Sequence, residues 1–425
     1  MKKVLIIGYF WPYHPGGSKR MAGLVGHMRE FGWQPVIISA PLKTRPEVEC
    51  KVIEAPADNK VAAIKKKFGF NPGRGLQEQI GVPAAVRGNR NFLTEKILKL
   101  IEGALTYPDV EAGWKLPALA AAKKLIASEK IDAVISVWPI TAHLIAKEIK
   151  QNYNLPWIAD FPDLWAKTYA YSYGPLRQRF DVRLEKKTLK FADRLTVSSR
   201  PLASTLEQMH KKEVSVIKIG FDPGIINDPP AALTKEFTVT YTGIFYGKER
   251  NPFKFFEALR QLMSKKLIDP ADFKVRFYGA KQDFVQAGIE KYGLSQIVEQ
   301  HGPIAWTECL RRQRESQLLL QLNWENKKEK GAYSGKITEY LAARRPILSV
   351  GGWGGDVMEE LFSQTKAGAY CLSPEDAAAA ILEFYNDYQK KGRLDFTGDL
   401  EAIDEYSNRH MAKRFCGLLD GLSAA

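Results

Sequence analysis

Tyr333-Ser-Gly-Lys-Ile-Thr-Glu-Tyr-Leu-Ala-Ala-Arg-Arg-Pro-Ile-Leu-Ser-Val350 decides how this chain is read. A small, turn-prone start from Gly331 to Gly335 gives way to a helical stretch through Ala343. That helix must stop before Pro346, because the residue preceding proline is pushed out of the α region. A short apolar strand, Ile347 to Val350, then runs into Gly351 and Gly352. Lys336 and Glu339 are three apart, hence neighbours on one helix face. A cation and an acceptor at a helix N-terminus suit a phosphate and a polyol presented together. The same spacing fits a surface ion pair worth a few tenths of a kcal/mol. The stretch alone leaves both readings open.

At 425 residues the chain is too long for one ordinary core, and two domains of roughly 200 residues are expected. Its 45% hydrophobic and 26% charged residues are ordinary for a globular protein. Cys50, Cys309, Cys371 and Cys416 are far apart and form no C-x-x-C pair. Neither a disulfide framework nor a zinc site is suggested, and a reducing, cytoplasmic compartment fits best. The start, Met1-Lys-Lys-Val-Leu-Ile-Ile-Gly8, has too short an apolar run for a signal peptide and reads as a first strand. No uncharged apolar stretch approaches the ~18 residues of a membrane span. The net charge of +14 calls for an anionic partner. A nucleotide diphosphate, nucleic acid and anionic lipid headgroups all qualify.

The first forty residues read as one βαβ unit. Val4 to Ile7 make a buried strand, and Tyr9 to Gly17 a loop of Pro, Gly and aromatic residues. A helix from about Ser18 to Phe31 carries Met21, Leu24, Val25 and Met28 at helical spacing, and Gly32 ends it. A glycine-rich turn after strand one is where doubly wound folds place ligands, although no G-x-G-x-x-G is present. Residues 43 to 113 are the least regular, a basic and amphipathic insert with lysines 65 to 67 beside Phe68 and Phe70. Such segments lie on membrane surfaces or pack as solvated helices on their own domain.

Regular α/β alternation returns at Trp114. Strand Ala133 to Val137 leads through Trp138-Pro-Ile-Thr-Ala-His143 into a helix. Strand Trp157 to Asp160 precedes Phe161-Pro-Asp-Leu-Trp165, and strands at Arg194 to Ser198 and Val214 to Ile219 follow. Asp222-Pro-Gly-Ile-Ile-Asn-Asp-Pro-Pro230 reads as an interdomain linker. Beyond it, strand Thr238 to Thr242 reaches Gly243, strand Lys274 to Tyr278 reaches Gly279, and Leu318 to Leu322 is a further strand. Ile403 to Leu422 reads as one C-terminal helix. Domains are thus expected at 1–222 and 237–402, with a linker at 223–236 and a helix at 403–425 crossing back to the first.

In its S-G-K-x-x-E-Y-L-A-x-x-x-P-I form, the opening stretch resembles the nucleotide-sugar site of retaining, family-4-like GT-B glycosyltransferases. The resemblance implies two Rossmann-like, doubly wound parallel-sheet domains facing a cleft. It puts the nucleotide on Ser334 and Gly335, Lys336 near the phosphates and Glu339 on the ribose hydroxyls. The commoner pattern has a second glutamate eight positions earlier, where this chain has Gly331, so that role is unassigned. His143 matches the histidine that orients the donor sugar, and Lys248 and Arg250 the cations on the diphosphate. His143, Lys336 and Arg250 are therefore the candidate catalytic residues. Gly16, Gly17, Gly243 and Gly279 are expected around the donor, and Arg20 and Asp163 on the acceptor.

The reaction implied is transfer of a sugar from a UDP- or GDP-linked donor to a hydroxyl of a glycan or lipid-linked acceptor, with retention. The absence of a D-x-D carboxylate pair implies that no metal is needed, and no resident cofactor is expected. A peripheral position at the inner face of an anionic membrane follows from residues 60 to 105. A nucleotide-sugar 2-epimerase of the same fold, a membrane scaffold without chemistry and a basic nucleic-acid-binding protein are the rivals. The last lacks any zinc-finger spacing, RRM signature or basic zipper, and nucleic acid is not expected as a partner.

Overall fold

The computed structural model describes residues 1–9, 17–42, 50–57, 107–169, 171, 173–224, 231–247, 249–327, 329, 331 and 333–424. The chain divides into two compact units, Met1–Ile217 with Ala412–Ala425, and Lys218–Met411.

The first unit is a seven-stranded parallel sheet. Its strands are β1 (Lys2–Ile7), β2 (Trp33–Ser39), β3 (Lys51–Glu54), β4 (Ala133–Val137), β5 (Trp157–Phe161), β6 (Arg194–Val197) and β7 (Val214–Val216), in the order β3-β2-β1-β4-β5-β6-β7. Val4 pairs with Pro35 on one side and Ala133 on the other. Val4 to Ile7 are wholly buried, as a continuous apolar run must be when helices cover both faces of a sheet. The helices are α1 (Gly17–His27), α2 (Lys115–Ser128), α3 (Ile140–Tyr153), α4 (Pro175–Leu189) and α5 (Arg200–His210). After α1 a 3-10 turn, Met28–Phe31, ends at Gly32, whose φ of 82° only glycine adopts without strain.

The second unit is a six-stranded parallel sheet of β8 (Phe237–Thr242), β9 (Phe273–Tyr278), β10 (Val298–Gly302), β11 (Leu318–Leu322), β12 (Ile347–Val350) and β13 (Gly368–Cys371), ordered β10-β9-β8-β11-β12-β13. Its helices are α6 (Phe253–Ser264), α7 (Asp283–Lys291), α8 (Trp306–Glu315), α9 (Gly335–Ala343), α10 (Val357–Thr365), α11 (Pro374–Lys391) and α12 (Leu400–Asp404). Period-two alternation feeds two cores. Leu318, Leu320 and Leu322 join Phe237, Val239 and Tyr241 in one layer, while Leu319 packs with Ile337, Tyr340 and Leu341 in the other. A last helix, α13 (Asn408–Ala424), begins in the second unit and ends in the first. Both sheets are doubly wound and Rossmann-like.

Three features differ from the sequence reading. A strand, β3, lies within the stretch read as irregular; residues 43–49 and 58–106 of that stretch fall outside the described residues, and with them the basic segment 60–105. The segment from Lys218, read as the end of the first domain, belongs to the second unit because Phe221 is buried in the core of Leu319, Tyr340 and Tyr406. The single helix expected at 403–422 is broken. Phe221 N donates to Tyr406 O at 2.8 Å and Asn408 N to Phe221 O at 2.7 Å, and this bridge takes the backbone groups that a continuous helix would use.

Candidate functional site

The carboxyl edge of the second sheet is built from glycines. Gly243 follows β8 with φ 135° and Gly279 follows β9 with φ 155°. A Cβ on Gly279 would stand 2.0 Å from the carbonyl oxygen of Gly243, so the two strand ends approach as closely as backbone permits. Helix α9 starts at this edge. Ser334 is its N-cap in extended conformation, and its hydroxyl does not cap the helix, so α9 presents its first N–H groups without a side-chain acceptor. A Cβ on Gly335 would meet nothing within 4 Å.

Lys336, on the first turn, is the central observation. Its stem is partly exposed, but the ammonium is buried with no hydrogen-bond partner. It rests 3.8 Å from the centroid of the Tyr241 ring and would stand 2.8 Å from a Cβ on Gly243. Burial, then the charge of Arg250, push its pKa well below the usual lysine range, and Glu339 only partly opposes them. The surface ion-pair reading therefore fails: Lys336 makes no salt bridge to Glu339. Glu339 turns instead toward α8, where its two oxygens accept from Trp306 Nε1 at 3.0 Å and Gln313 Nε2 at 3.3 Å. Gln313 also donates to Thr242 Oγ1 at 2.9 Å, tying the carboxylate to the end of β8.

Arg250 is the second buried cation. It is 6% exposed, its guanidinium lies 4.5 Å from the Trp324 ring centroid and 5.3 Å from that of Tyr246, and its Nε has no partner. Burial lowers its pKa. A narrow cavity beside it is lined by Arg250, Gln321, Asn323, Glu329, Ser334 and Asp356, and the buried Oε1 of Gln321 is unpartnered there. A wider recess of about 440 Å³, beyond Gly279, is bounded by Tyr278, His301, Ile304 and Arg312, with the His301 ring stacked 4.8 Å from Tyr278. Lys248 lies outside the described residues, as does Gly16.

In the first unit, His143 sits on the first turn of α3, 1% exposed and stacked 4.5 Å from Phe161. Its Nδ1 is 2.7 Å from Ser136 Oγ, which also accepts from Trp157 Nε1 at 2.8 Å. Its Nε2 has no partner. Burial lowers its pKa to about 3 despite the nearby Asp160 carboxylate, so the ring is neutral near pH 7. Arg20 is not free to meet an acceptor. At 2% exposure it forms a bidentate pair with Asp160, both contacts 2.9 Å, and Thr196 Oγ1 donates to the same carboxylate. Gly17 begins α1. Asp163 stands exposed on the loop after β5, yet the protein packed around its carboxyl raises the pKa.

Several site residues were not singled out from the sequence. Trp306 and Gln313 are seven apart and so share a face of α8, a legible spacing, but nothing in it names Glu339 as their partner. Tyr241 reads as an ordinary strand residue. Asp109 accepts from Thr141 N and Oγ1, both at 2.7 Å, at the start of α3, and beside it burial and the Asp109 charge push Glu111 up to about 7.

These features define a class before any particular relative: parallel-sheet units whose glycine-lined carboxyl edge, in the second unit, meets a helix start and two buried cations. Residues 16–220 match the glycosyl transferase 4-like domain, and the chain has the GT-B fold, in agreement with the two Rossmann-like domains that the resemblance implies. Sucrose-phosphate synthase from Thermosynechococcus elongatus is similar over 100% of both chains at 12% identity, with a TM-score of 0.62. HepE of Anabaena, solved with UDP and glucose, is similar over 99% of this chain and 100% of its own, at 12% identity and a TM-score of 0.55. UDP-GlcNAc 2-epimerase from Methanocaldococcus jannaschii covers the same shares at 11% identity and a TM-score of 0.50. No curated protein matches the chain by sequence. Among the described residues no helix is long and apolar enough to cross a membrane.

Proposed function

We propose that the chain is a retaining glycosyltransferase using a UDP- or GDP-linked sugar. One observation carries the reading. Lys336 and Arg250 are buried basic groups near one another, the Lys336 ammonium and the Arg250 Nε have no hydrogen-bond partner, and the charges of Glu339 and Glu329 only partly offset their burial. Holding them there is unfavourable unless an anion completes the site. A diphosphate at the start of α9 supplies that anion, and the same charges stabilise it as it departs with the glycosidic bond electrons. The helix N–H groups at Ser334 to Lys336 add to this field. Glu339 accepts from the ribose hydroxyls, exchanging one of its present donors. The recess at Tyr278 and His301 receives the base. His143, neutral and with Nε2 unpartnered, hydrogen-bonds a sugar hydroxyl, and Asp163 holds an acceptor hydroxyl.

With two cations in place of a carboxylate-held ion, no divalent metal is required. The acceptor is a glycan or a lipid-linked sugar, and the protein works as a peripheral protein at the inner face of a membrane. A thermal-shift series with UDP, GDP, ADP and inorganic diphosphate tests the donor. At 100 Kd a ligand stabilises by about 2.7 kcal/mol, so one nucleoside diphosphate should raise Tm clearly while Lys336→Ala and Arg250→Ala respond to none. Equal response in both variants would sink the assignment. Turnover should persist in EDTA; loss restored by Mn²⁺ would show that the leaving group is handled otherwise. The epimerase reading shares the fold, and incubating the sugar nucleotide without acceptor separates the two, because only an epimerase inverts the sugar.

A further inference from the structure

The outward face of α4 combines exposed apolar and basic side chains. Its exposed large residues are two apolar side chains, Leu176 (61%) and Phe180 (55%), and five cations, Arg179, Arg183, Lys186, Lys187 and the C-cap Lys190. At 3.6 residues per turn all seven fall within an arc of about 120°, a single stripe down the helix. No acid interrupts it. The helix's own acids point the other way: Asp181 is 2% exposed and bound by Arg177 and Tyr171, and Glu185 is 0% exposed and bound by His210.

Among the described residues, the acids of the adjoining elements are engaged by other cations. Glu148 of α3 is paired with Lys115, Asp193 before β6 is held by Lys150 of α3 at 2.8 Å, and Glu207 of α5 is paired with Arg200. Lys147 extends the positive field: after burial, the charges of Lys187 and Lys115 lower its pKa most, with Lys190 adding to them and Glu148 opposing. The arrangement inverts an ordinary surface helix, which hides its leucine and phenylalanine and displays balanced charge. A stripe with all cations and no acid is complementary to an anionic surface. Two adjacent uncovered apolar groups (176 and 180 are one turn apart) favour a partner into which they can be buried.

We propose that this face of α4 docks on an anionic lipid surface, with Leu176 and Phe180 entering the headgroup layer and the five cations meeting lipid phosphates. A nucleic acid would satisfy the cations but offers no apolar layer for Leu176. The docking face lies in described residues, apart from the segment 60–105, and its binding needs no donor turnover. It rests on the peripheral membrane position proposed above and gives it a surface; failure of the donor reading leaves it standing, and its own failure leaves the donor reading standing.

The test is co-sedimentation of the full chain with phosphatidylcholine vesicles and with phosphatidylcholine–phosphatidylglycerol vesicles, at low and high salt. The chain should pellet with the anionic vesicles and fade as salt shortens the Debye length. The triple variant Arg179→Glu, Arg183→Glu, Lys187→Glu should partition at least about tenfold less, since each basic residue near an anionic surface contributes separately, with an unchanged Tm. Leu176→Ser with Phe180→Ser should remove the share of binding that survives high salt. If the triple variant does not fold, the glutamine series at the same positions replaces it, with a smaller loss expected. Wild-type pelleting by folded charge variants, equal pelleting on neutral vesicles, or an effect confined to glutamates placed at Lys65, Lys66 and Lys67 overturns the proposal. Tighter retention on single-stranded RNA than on anionic vesicles, lost in the same variant, also overturns it and gives the face to nucleic acid.

Discussion

At the scale of the residue, Lys336 holds a charge where it is least stable. Its folded pKa lies below its unfolded one, so between the two values the folded state binds fewer protons and stability rises with pH across that window. Replacing it by methionine removes a buried ammonium without an acceptor and keeps the shape. Lys336→Met should therefore raise stability by about 1 kcal/mol or more, flatten that rise, and weaken nucleoside diphosphate binding at least about tenfold, as expected for lost charge-assisted bonds. Calorimetry in buffers of different ionisation enthalpy adds a check: in the pH window where Lys336 titrates, wild type should take up protons on binding UDP, and the variant fewer. His143 makes the same kind of demand in a more acidic window. Its pKa falls from the usual 6.5 to about 3 on folding, so stability is lost as pH drops through that interval. His143→Gln should be less sensitive to acid there, while kcat falls at least about tenfold and nucleotide affinity stays near wild type. An affinity loss as large as that of Lys336→Met would contradict the division of labour.

At the scale of the element, the strand-end glycines and the helix start behave differently under the same substitution. Gly279→Ala meets both a φ of 155° and a carbonyl 2.0 Å from the new Cβ, neither of which a flexible side chain can relieve. It should destabilise by ~3 kcal/mol or more. Gly335→Ala, in a helical position with open space, should be neutral or stabilise by about 0.5 kcal/mol. Urea denaturation of the two variants decides, and similar midpoints would mean the edge geometry is misread. These elements also show what the sequence discloses. The bounds of α9 and β12 were legible because Pro346 forbids helix before it and Gly351 ends the strand after it, signals confined to neighbouring residues. β11 and β4 were legible as short apolar runs between turn formers. The break between α12 and α13 was not, because its cause is Phe221, some 180 residues away along the chain. Arg20 misled for the same reason: an arginine after a glycine-rich loop reads as ligand-facing until Asp160 arrives from β5. The positions of Lys336 and Glu339 could be read from spacing, but their separation, one toward Tyr241 and the other toward Trp306, depends on strands and helices that only the folded sheet brings together.

At the scale of the whole molecule, the chain's end is a structural part of its beginning. Residues from Ala412 onward belong to the first unit, where Ala412, Phe415 and Leu419 are wholly buried and Cys416 is 1% exposed beneath Met28. Phe415 lies 5.4 Å under the Arg20 guanidinium. Asp420 accepts from Lys2 at 2.9 Å and from the Trp33 indole at 3.1 Å. Fully burying a leucine or a phenylalanine contributes ~1.5–3 kcal/mol each, so removing this segment strips ~3 kcal/mol or more from the first unit and opens the apolar surface under β1 and α1. The second unit loses no core residue, since its C-terminal packing ends at Tyr406 and Met411. A chain ended after Met411 should therefore unfold in two separated steps, the first at a markedly lower temperature than in the full chain. The second should still shift upward with the nucleoside diphosphate that stabilises wild type. Differential scanning calorimetry with and without that ligand reads both. A single transition lowered as a whole would mean that the two units unfold as one cooperative body and that the last helix supports more than the sheet it covers.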